Sequence, residues 1–512
     1  MIPLRIALVS ATLAQGRAPS PTFVEDILRA GIARAIAVAL AGFTLGFVVW
    51  YGLLVPHLDP ILSNVALLAS VVAGPALALV LWRSYAAYFA RRTGVTFARA
   101  LQYDTYTWLP FLAIWLTFVL SPAIAREARL VAIATALFCA IKIAIAARFN
   151  QTVREVLLDF LASRAAILII AELAAVIIGQ RAGQHVQESS DALLAVWGRW
   201  DAVHYLDIAT QGYAGTDMAF FPLFPALIAL VGGVLGNHLI AGLLISNGCF
   251  FFGLLYLYKL IEHEFDRTVA RRAIFYVSIF PSAIFFSAVY TESLFFFLTV
   301  ASFYYMRERK WLLAGIFGGL AAASRVEGVL LVVPYALEWF ASHKRLDRSA
   351  IVSALQSALI PAGLFIYMAY LWVLNGDPLY FSHVQAHWNR HFAPPWVSFI
   401  NAFAKIAHTV SAQTVANQLL EISFTVLMLA VLAFGWNRLR PSYIAYMGLS
   451  ILVPMSTSSL MSMPRFALVL FPMFAILALW GKRPWVNNLI VALFLPMLGL
   501  FTVLFADWYW VA

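Results

Sequence analysis

Residues 197–213 read WGRWDAVHYLDIATQGY and crowd two carboxylates and a histidine among aromatic rings. If 200–208 is a helix, Asp201, His204 and Tyr205 fall at i, i+3 and i+4 and share one face, with Asp207 on a neighbouring edge. A carboxylate so placed can take a proton from a hydroxyl. Trp197 and Trp200 suit a membrane interface, each with an apolar ring and one polar tip. The plainer account is an aromatic-belt helix with incidental charges.

Four further stretches carry unusual chemistry. AVYTESLFF sets Tyr290 beside Glu292 at a helix start, where the helix dipole by itself favours an acid. AAASRVEGVL places Arg325 and Glu327 between apolar runs; ionisable groups inside membrane spans are costly and usually paired or functional, and these two could simply neutralise each other. The long loop expected at 375–412 begins NGDPLYFSHVQAHWNRH (375–391), which holds Asp377, Gln385, Trp388 and Arg390. Its histidines, His383, His387 and His391, are spaced four apart and could share a helix face toward a metal. No nearby acid completes such a site, so a divalent metal is left open rather than expected. SMPRF supplies Arg465. Guanidinium forks match phosphate oxygens bidentately, and the competing account for Arg390 and Arg465 is snorkelling beside the bilayer.

These pieces must be positioned by something that is not a soluble domain. Of 512 residues, 63% are hydrophobic and 11% charged, against about 25% charged in soluble domains. Apolar runs of roughly 17–25 residues mark helical spans, and no alternating segments suggest a β-barrel. The net charge of +10 is spread in short clusters between apolar runs, which fits positive-inside topology and not nucleic-acid binding. Cys139 and Cys249 lie in apolar stretches, so neither a disulfide framework nor a zinc site is expected.

About fifteen spans can be drawn, four of them before residue 160. The basic clusters Arg91-Arg92, Arg148/Arg154/Arg164, Arg267/Arg271/Arg272, Arg307–Lys310, His343–Arg345, Arg438/Arg440 and Lys482-Arg483 all reach the cytoplasm if FFPLFPALIALVGGVL (220–235) does not cross. The five unusual stretches then share the opposite face, where loops on a rigid scaffold tend to carry function. The chain divides into an extension, 1–160, and a core, 161–512.

Carboxylates and flat rings suit sugars, arginines suit phosphate, and a membrane setting suits a lipid. In order, WDAVHYLDIATQGY, FFPLFP, SAVYTESLFF, AAASRVEG, GDPLYFSHVQAHW and SMPRF resemble the PIG-V family of GPI mannosyltransferases and its prokaryotic relatives, over roughly 165–512. The resemblance implies an all-α polytopic membrane protein with a GT-C-type bundle. It implies a glycosyltransferase moving a sugar, mannose by family, from a polyprenyl-phosphate donor to a lipid, glycan or protein acceptor. By the same analogy Asp201 is the catalytic base. Trp200, His204, Tyr205, Asp207, Tyr290, Glu292, Gln385 and Trp388 then face substrate, and Arg390, Arg465 and Arg325 face phosphate. A prokaryotic relative implies a bacterial cytoplasmic membrane with its site facing the periplasm. The SRVEG turn departs from the expected pattern in its acid, Glu327, which competes for Arg325. The rival classes are a transporter or lipid flippase, which would carry internal repeats and midplane charges, and a non-catalytic subunit of a mannosyltransferase complex.

Overall fold

The computed structural model describes residues 151–178 and 192–511, with the isolated residues 87, 90, 96 and 97. The chain divides between Asn150 and Gln151 into two units, and the second is described below. The four spans expected before residue 150 lie outside the described residues.

Every regular element among the described residues is helical; extended backbone pairs only at the isolated bridge Phe392–Thr457. The helices are α1 (Gln151–Ile177), α2 (Asp201–Gln211), α3 (Leu223–Leu235), α4 (His238–Glu264) and α5 (Arg267–Ser278). They continue as α6 (Glu292–Arg307), α7 (Trp311–Ser324), α8 (Val332–Ser342), α9 (Arg348–Asn375) and α10 (Pro395–His408). The last five are α11 (Ala412–Gly435), α12 (Pro441–Met455), α13 (Met463–Val469), α14 (Phe471–Trp480) and α15 (Pro484–Ala506). By length and composition α4, α9, α11 and α15 can each cross a bilayer, and α13 with α14, bent by 75°, can form a fifth, broken span. The spans drawn at 292–306 and 311–324 are short in the structure as in the sequence: α6 has 16 residues and α7 has 14, against about 20 for a crossing helix.

Helix α6 joins two polar clusters. Glu292, its first residue, lies in the one built from the unusual stretches. Arg307, its last, pairs with Glu264 and with Glu338 at 3.0 Å, while Arg440 meets Glu264 at 3.0 Å. The helix separates them by about 24 Å. The Arg307 end also gathers Arg267 on Glu155 (2.7 Å) and Lys482 on Asp266 (2.9 Å). The 220–235 run is α3. It starts where Phe224 packs on Tyr205, 5.2 Å between rings, and turns at Gly236 (φ 72°) into α4. Helix α4 then passes Tyr290, whose carbonyl accepts from Ser246 Oγ at 3.4 Å. The run therefore starts and ends on the Glu292 side without reaching the Arg307 cluster.

Arg164 corrects an expectation. Its neighbours in sequence suggested a solvated basic cluster, yet its side chain is buried. It donates to the carbonyls of Ala283 (3.0 Å) and Ser278 (3.2 Å) and to Ser287 Oγ (2.9 Å). The reason is the segment 279–291, which leaves α5, makes one short 3-10 turn and is fully buried. Irregular backbone at membrane depth persists only when its polar groups are satisfied inside the protein. Arg164 does that, and so fixes the approach to Tyr290 and Glu292.

Helices α7 and α9 touch backbone to backbone. A Cβ on Gly363 would lie 2.0 Å from the Gly319 carbonyl oxygen, and one on Gly319 would lie 2.4 Å from that of Leu359. This contact sets where Arg325, just past α7, emerges. Gly363→Val is expected to destabilise the protein by about 1–3 kcal/mol through overpacking. Thermal unfolding in detergent checks this, and an unchanged Tm would contradict the close contact.

Candidate active site

Trp200 precedes α2 with φ 59°, in the left-handed region that L residues rarely adopt. That kink starts the helix at Asp201. The Tyr290 hydroxyl donates to the Arg199 carbonyl (3.0 Å) and accepts from the Asp201 N–H (3.2 Å). The turn is thereby tied to the end of the buried segment 279–291.

From Asp201 a chain of ion pairs runs inward. Arg465 Nη1 lies 2.5 Å from Asp201 Oδ2, and its Nε lies 2.6 Å from Glu292 Oε1. Arg325 Nη1 meets the same Glu292 oxygen at 3.1 Å, and its Nε reaches Glu327 at 3.5 Å. Glu292 is fully buried, whereas Asp201 keeps a quarter of its side chain exposed, at 24%. Arg465 lies over the rings of Tyr290 (4.8 Å) and Phe285 (5.2 Å), and Arg325 over Phe466 (5.2 Å). Four separated stretches thus meet around one carboxylate. Both of these arginines already hold carboxylates as partners.

Arg390 is different. Its Nη2 donates to the Met461 carbonyl, and its buried Nε has no hydrogen-bond partner. Burial pulls this guanidinium below its ordinary value, opposed by the charges of Glu421 and Glu327. Gln385 holds it through the backbone, its carbonyl accepting from the Arg390 N–H at 3.1 Å.

Farther along α2, His204 Nδ1 lies 2.7 Å from Asp217 Oδ1, and its ring stacks on Phe220 at 4.5 Å. Trp388 stands edge-on to both, at 6.3 and 6.1 Å. Asp217 escaped the reading of the sequence, because nothing in GTDMA links it to His204 thirteen residues away. Asp207 lies on this side too. Burial raises its carboxyl, and Asp217 raises it further, against a lowering by His204. Three expected substrate residues face inward instead: Glu292 is fully buried between two arginines, Tyr205 is buried with its hydroxyl 3.2 Å from Thr291 Oγ1, and Tyr290 is buried beneath the turn. Helix α2 turns its i+4 edge into the core while i and i+3 stay partly open.

The histidine series does not share a helix face. The chain passes from a single α turn into a 3-10 turn and then Asn389 at φ 54°. His383 meets Asp377 (2.7 Å), His391 meets Ser458 Oγ (3.2 Å), and His387 packs on Trp388. The rest of the expected loop also contains α10, whose Ser398 and Ala402 face inward while Trp396, Ile400 and Phe403 face out.

Residues 139–337 match the family model described as Mannosyltransferase (PIG-V). This stretch of the chain is thus similar to PIG-V mannosyltransferases. Similar proteins include GPI mannosyltransferase 2 of Cryptococcus neoformans var. neoformans serotype D, strain B-3501A. That match is 26% identical over 291 residues, covering 48% of this chain and 68% of the relative. The protein of the same name from strain JEC21 is 26% identical over 233 residues, covering 37% and 55%. GPI alpha-1,6-mannosyltransferase 2 of Rattus norvegicus is 30% identical over 161 residues, covering 29% and 32%. The chain thus spans about a third of the rat relative's length. The matched region of this PIG-V-like chain contains Asp201, Glu292 and Arg325; Arg390 and Arg465 lie beyond it.

Two outcomes test this geometry. Glu292→Gln leaves Arg325 and Arg465 under-compensated in a buried site, and a loss of about 3–5 kcal/mol is expected, the usual result of breaking a buried pair. A denaturation midpoint equal to wild type would refute the shared pairing. For Asp207, the raised carboxyl means that folding favours its protonated form. Stability from this group is therefore present at acid pH and lost as pH rises past the ordinary carboxylate range. Asp207→Asn is expected to keep or raise Tm at neutral pH, with the difference from wild type vanishing in acid. A lowered neutral Tm would contradict the assignment.

Proposed function

We propose that this protein is a membrane glycosyltransferase that moves mannose from a polyprenyl-phosphate donor to an acceptor hydroxyl, with inversion at the anomeric carbon. The observation that carries the reading is the ion chain Asp201–Arg465–Glu292–Arg325, open at Asp201 and closed at Glu292. Asp201 takes the proton of the acceptor hydroxyl. The oxygen attacks the anomeric carbon, and the bond from that carbon to the phosphate oxygen breaks, so polyprenyl phosphate leaves with the electron pair. Phosphate leaves readily without an acid, so one carboxylate suffices, unlike the pair that glycosidases use.

The division of labour among the arginines follows from their partners. Arg465 orients Asp201, and Arg325 completes the neutralisation of Glu292 and Glu327. Arg390, held by one backbone carbonyl and with a buried unpartnered Nε, is the guanidinium available to phosphate. Electrostatic support of that kind contributes a few kcal/mol in comparable sites. His204 and Trp388 line the opening beside Asp201 as sugar contacts, with Asp217 fixing the imidazole. A divalent metal could add to the phosphate's support, and the donor set favours none in particular.

The polarity of charge supports an extracytoplasmic site. The Arg307 end gathers the basic clusters, which belong on the cytoplasmic side, and Asp201 is at the other end of the bundle. For a bacterial source this is the periplasmic face of the cytoplasmic membrane. A lipid-borne donor suits that face because its polyprenyl tail partitions into the bilayer at about 0.8 kcal/mol per methylene. The acceptor is a lipid-linked glycan or protein hydroxyl reached from the same side.

Purified protein in lipid, given labelled polyprenyl-phosphate mannose and acceptor glycans, tests the reading by product mass. Asp201→Asn is expected to cut turnover by about a hundredfold or more while donor binding persists. Arg390→Gln is expected to weaken donor binding as well as turnover. A transporter or a non-catalytic subunit would keep its function in Asp201→Asn, and that result would end the proposal.

A further inference from the structure

The turn that presents Asp201 rests on an unusual support. The Arg199 side chain is fully buried, and its Nε, Nη1 and Nη2 have no hydrogen-bond partner. Its guanidinium lies 5.2 Å from the Trp508 ring centre, in the field of Asp507 and Glu172. The indole N–H groups of Trp200 and Trp508 are also buried and unpartnered, as is Asp507 Oδ1. Trp200 packs on Trp508 at 5.6 Å and on Trp510 at 5.4 Å. Both Trp200 (φ 59°) and Trp508 (φ 64°) hold left-handed backbone. Such conformations persist only where surroundings over-determine them.

Neither the ion chain nor the donor contacts require any of this. We propose that the segment Asp507–Trp510, following α15, is a positioning strap that holds the Trp200 kink and so aims Asp201 at the acceptor. Arg199 is its anchor. The carbonyl of Arg199 takes the Tyr290 hydroxyl, while its guanidinium takes the field of Asp507 and the face of Trp508, so one residue links both supports of the turn. Phe505, at the end of α15, packs on Tyr290 at 6.1 Å and joins the strap to that support. A strap more than three hundred residues away in sequence can shift Asp201 without touching substrate. Misplacement of a reacting group by about 1 Å can cost a hundredfold in rate.

The role of Asp201 rests on the function proposed above, so the test has two independent arms. In hydrogen exchange on the full-length protein in lipid, Trp508→Ala is expected to speed exchange at 199–205 while α4 and α11 exchange as in wild type. In the transfer assay it is expected to lower kcat about tenfold or more with donor KM within about threefold, and Trp508→Phe is expected to recover most of the loss. Unchanged exchange at 199–205 would overturn the strap. So would faster exchange spread evenly over all helices, or a kcat loss that Trp508→Phe does not relieve. If wild type transfers no sugar, the function proposal fails alone, and the exchange arm still decides whether the strap exists.

Discussion

Glu292 is a fully buried carboxylate shared by two arginines, and the arrangement of the site depends on that sharing. A lone carboxylate at this depth would be prohibitively costly, and so would either guanidinium. Together they are tolerable, but only in a geometry where α6, α13 and the turn after α7 present their polar groups to one point. With its Nε on Glu292, Arg465 turns Nη1 to Asp201. The outermost carboxylate is thus oriented by the same pairing that neutralises the core.

Such a site needs backbone that is not helical, in a place where unsatisfied backbone is penalised. The segment 279–291 meets that condition by drawing its partners from side chains: Arg164 on the Ser278 and Ala283 carbonyls, and Ser293 on the Phe286 carbonyl at 2.8 Å. The second polar cluster, around Arg307, Glu264 and Glu338, fixes the far end of the same bundle. Helix α6 is clamped at both ends by ions, which limits how far Glu292 can slide along its axis.

Much of this was legible in the sequence, for physical reasons. Ionisable residues among apolar runs are rare enough that Glu292 and Arg325 stood out, whereas Arg465 read as an outward cation beside the membrane and is instead buried between Asp201 and Glu292. Asp201 was legible from its neighbours Trp200 and His204. Arg164 was not, because adjacent basic residues suggested solvent, and only the tertiary fold reveals the carbonyls that claim it. Asp217 was illegible because Gly212 and Gly215 mark a turn, at φ 85° and 49°, without saying which side chain it returns to His204. Tyr205 was placed on the right face of α2 but at its inward edge, since a helical period gives direction only to within a residue. Helix α10 was read as loop: its outward face is apolar and its inward face is small, the reverse of the pattern that marks a helix in water.

In the proposed function, donor phosphate and acceptor meet at the Asp201 end of α6, with the phosphate on Arg390. A structure of the protein bound to a non-hydrolysable polyprenyl-phosphonate sugar in lipid measures this directly. Phosphonate oxygens are expected within hydrogen-bond distance of Arg390 and the anomeric carbon facing Asp201, with the Arg465–Glu292 pair intact. Phosphonate seated beside Arg307, or an Asp201 turned away from the sugar, would contradict it.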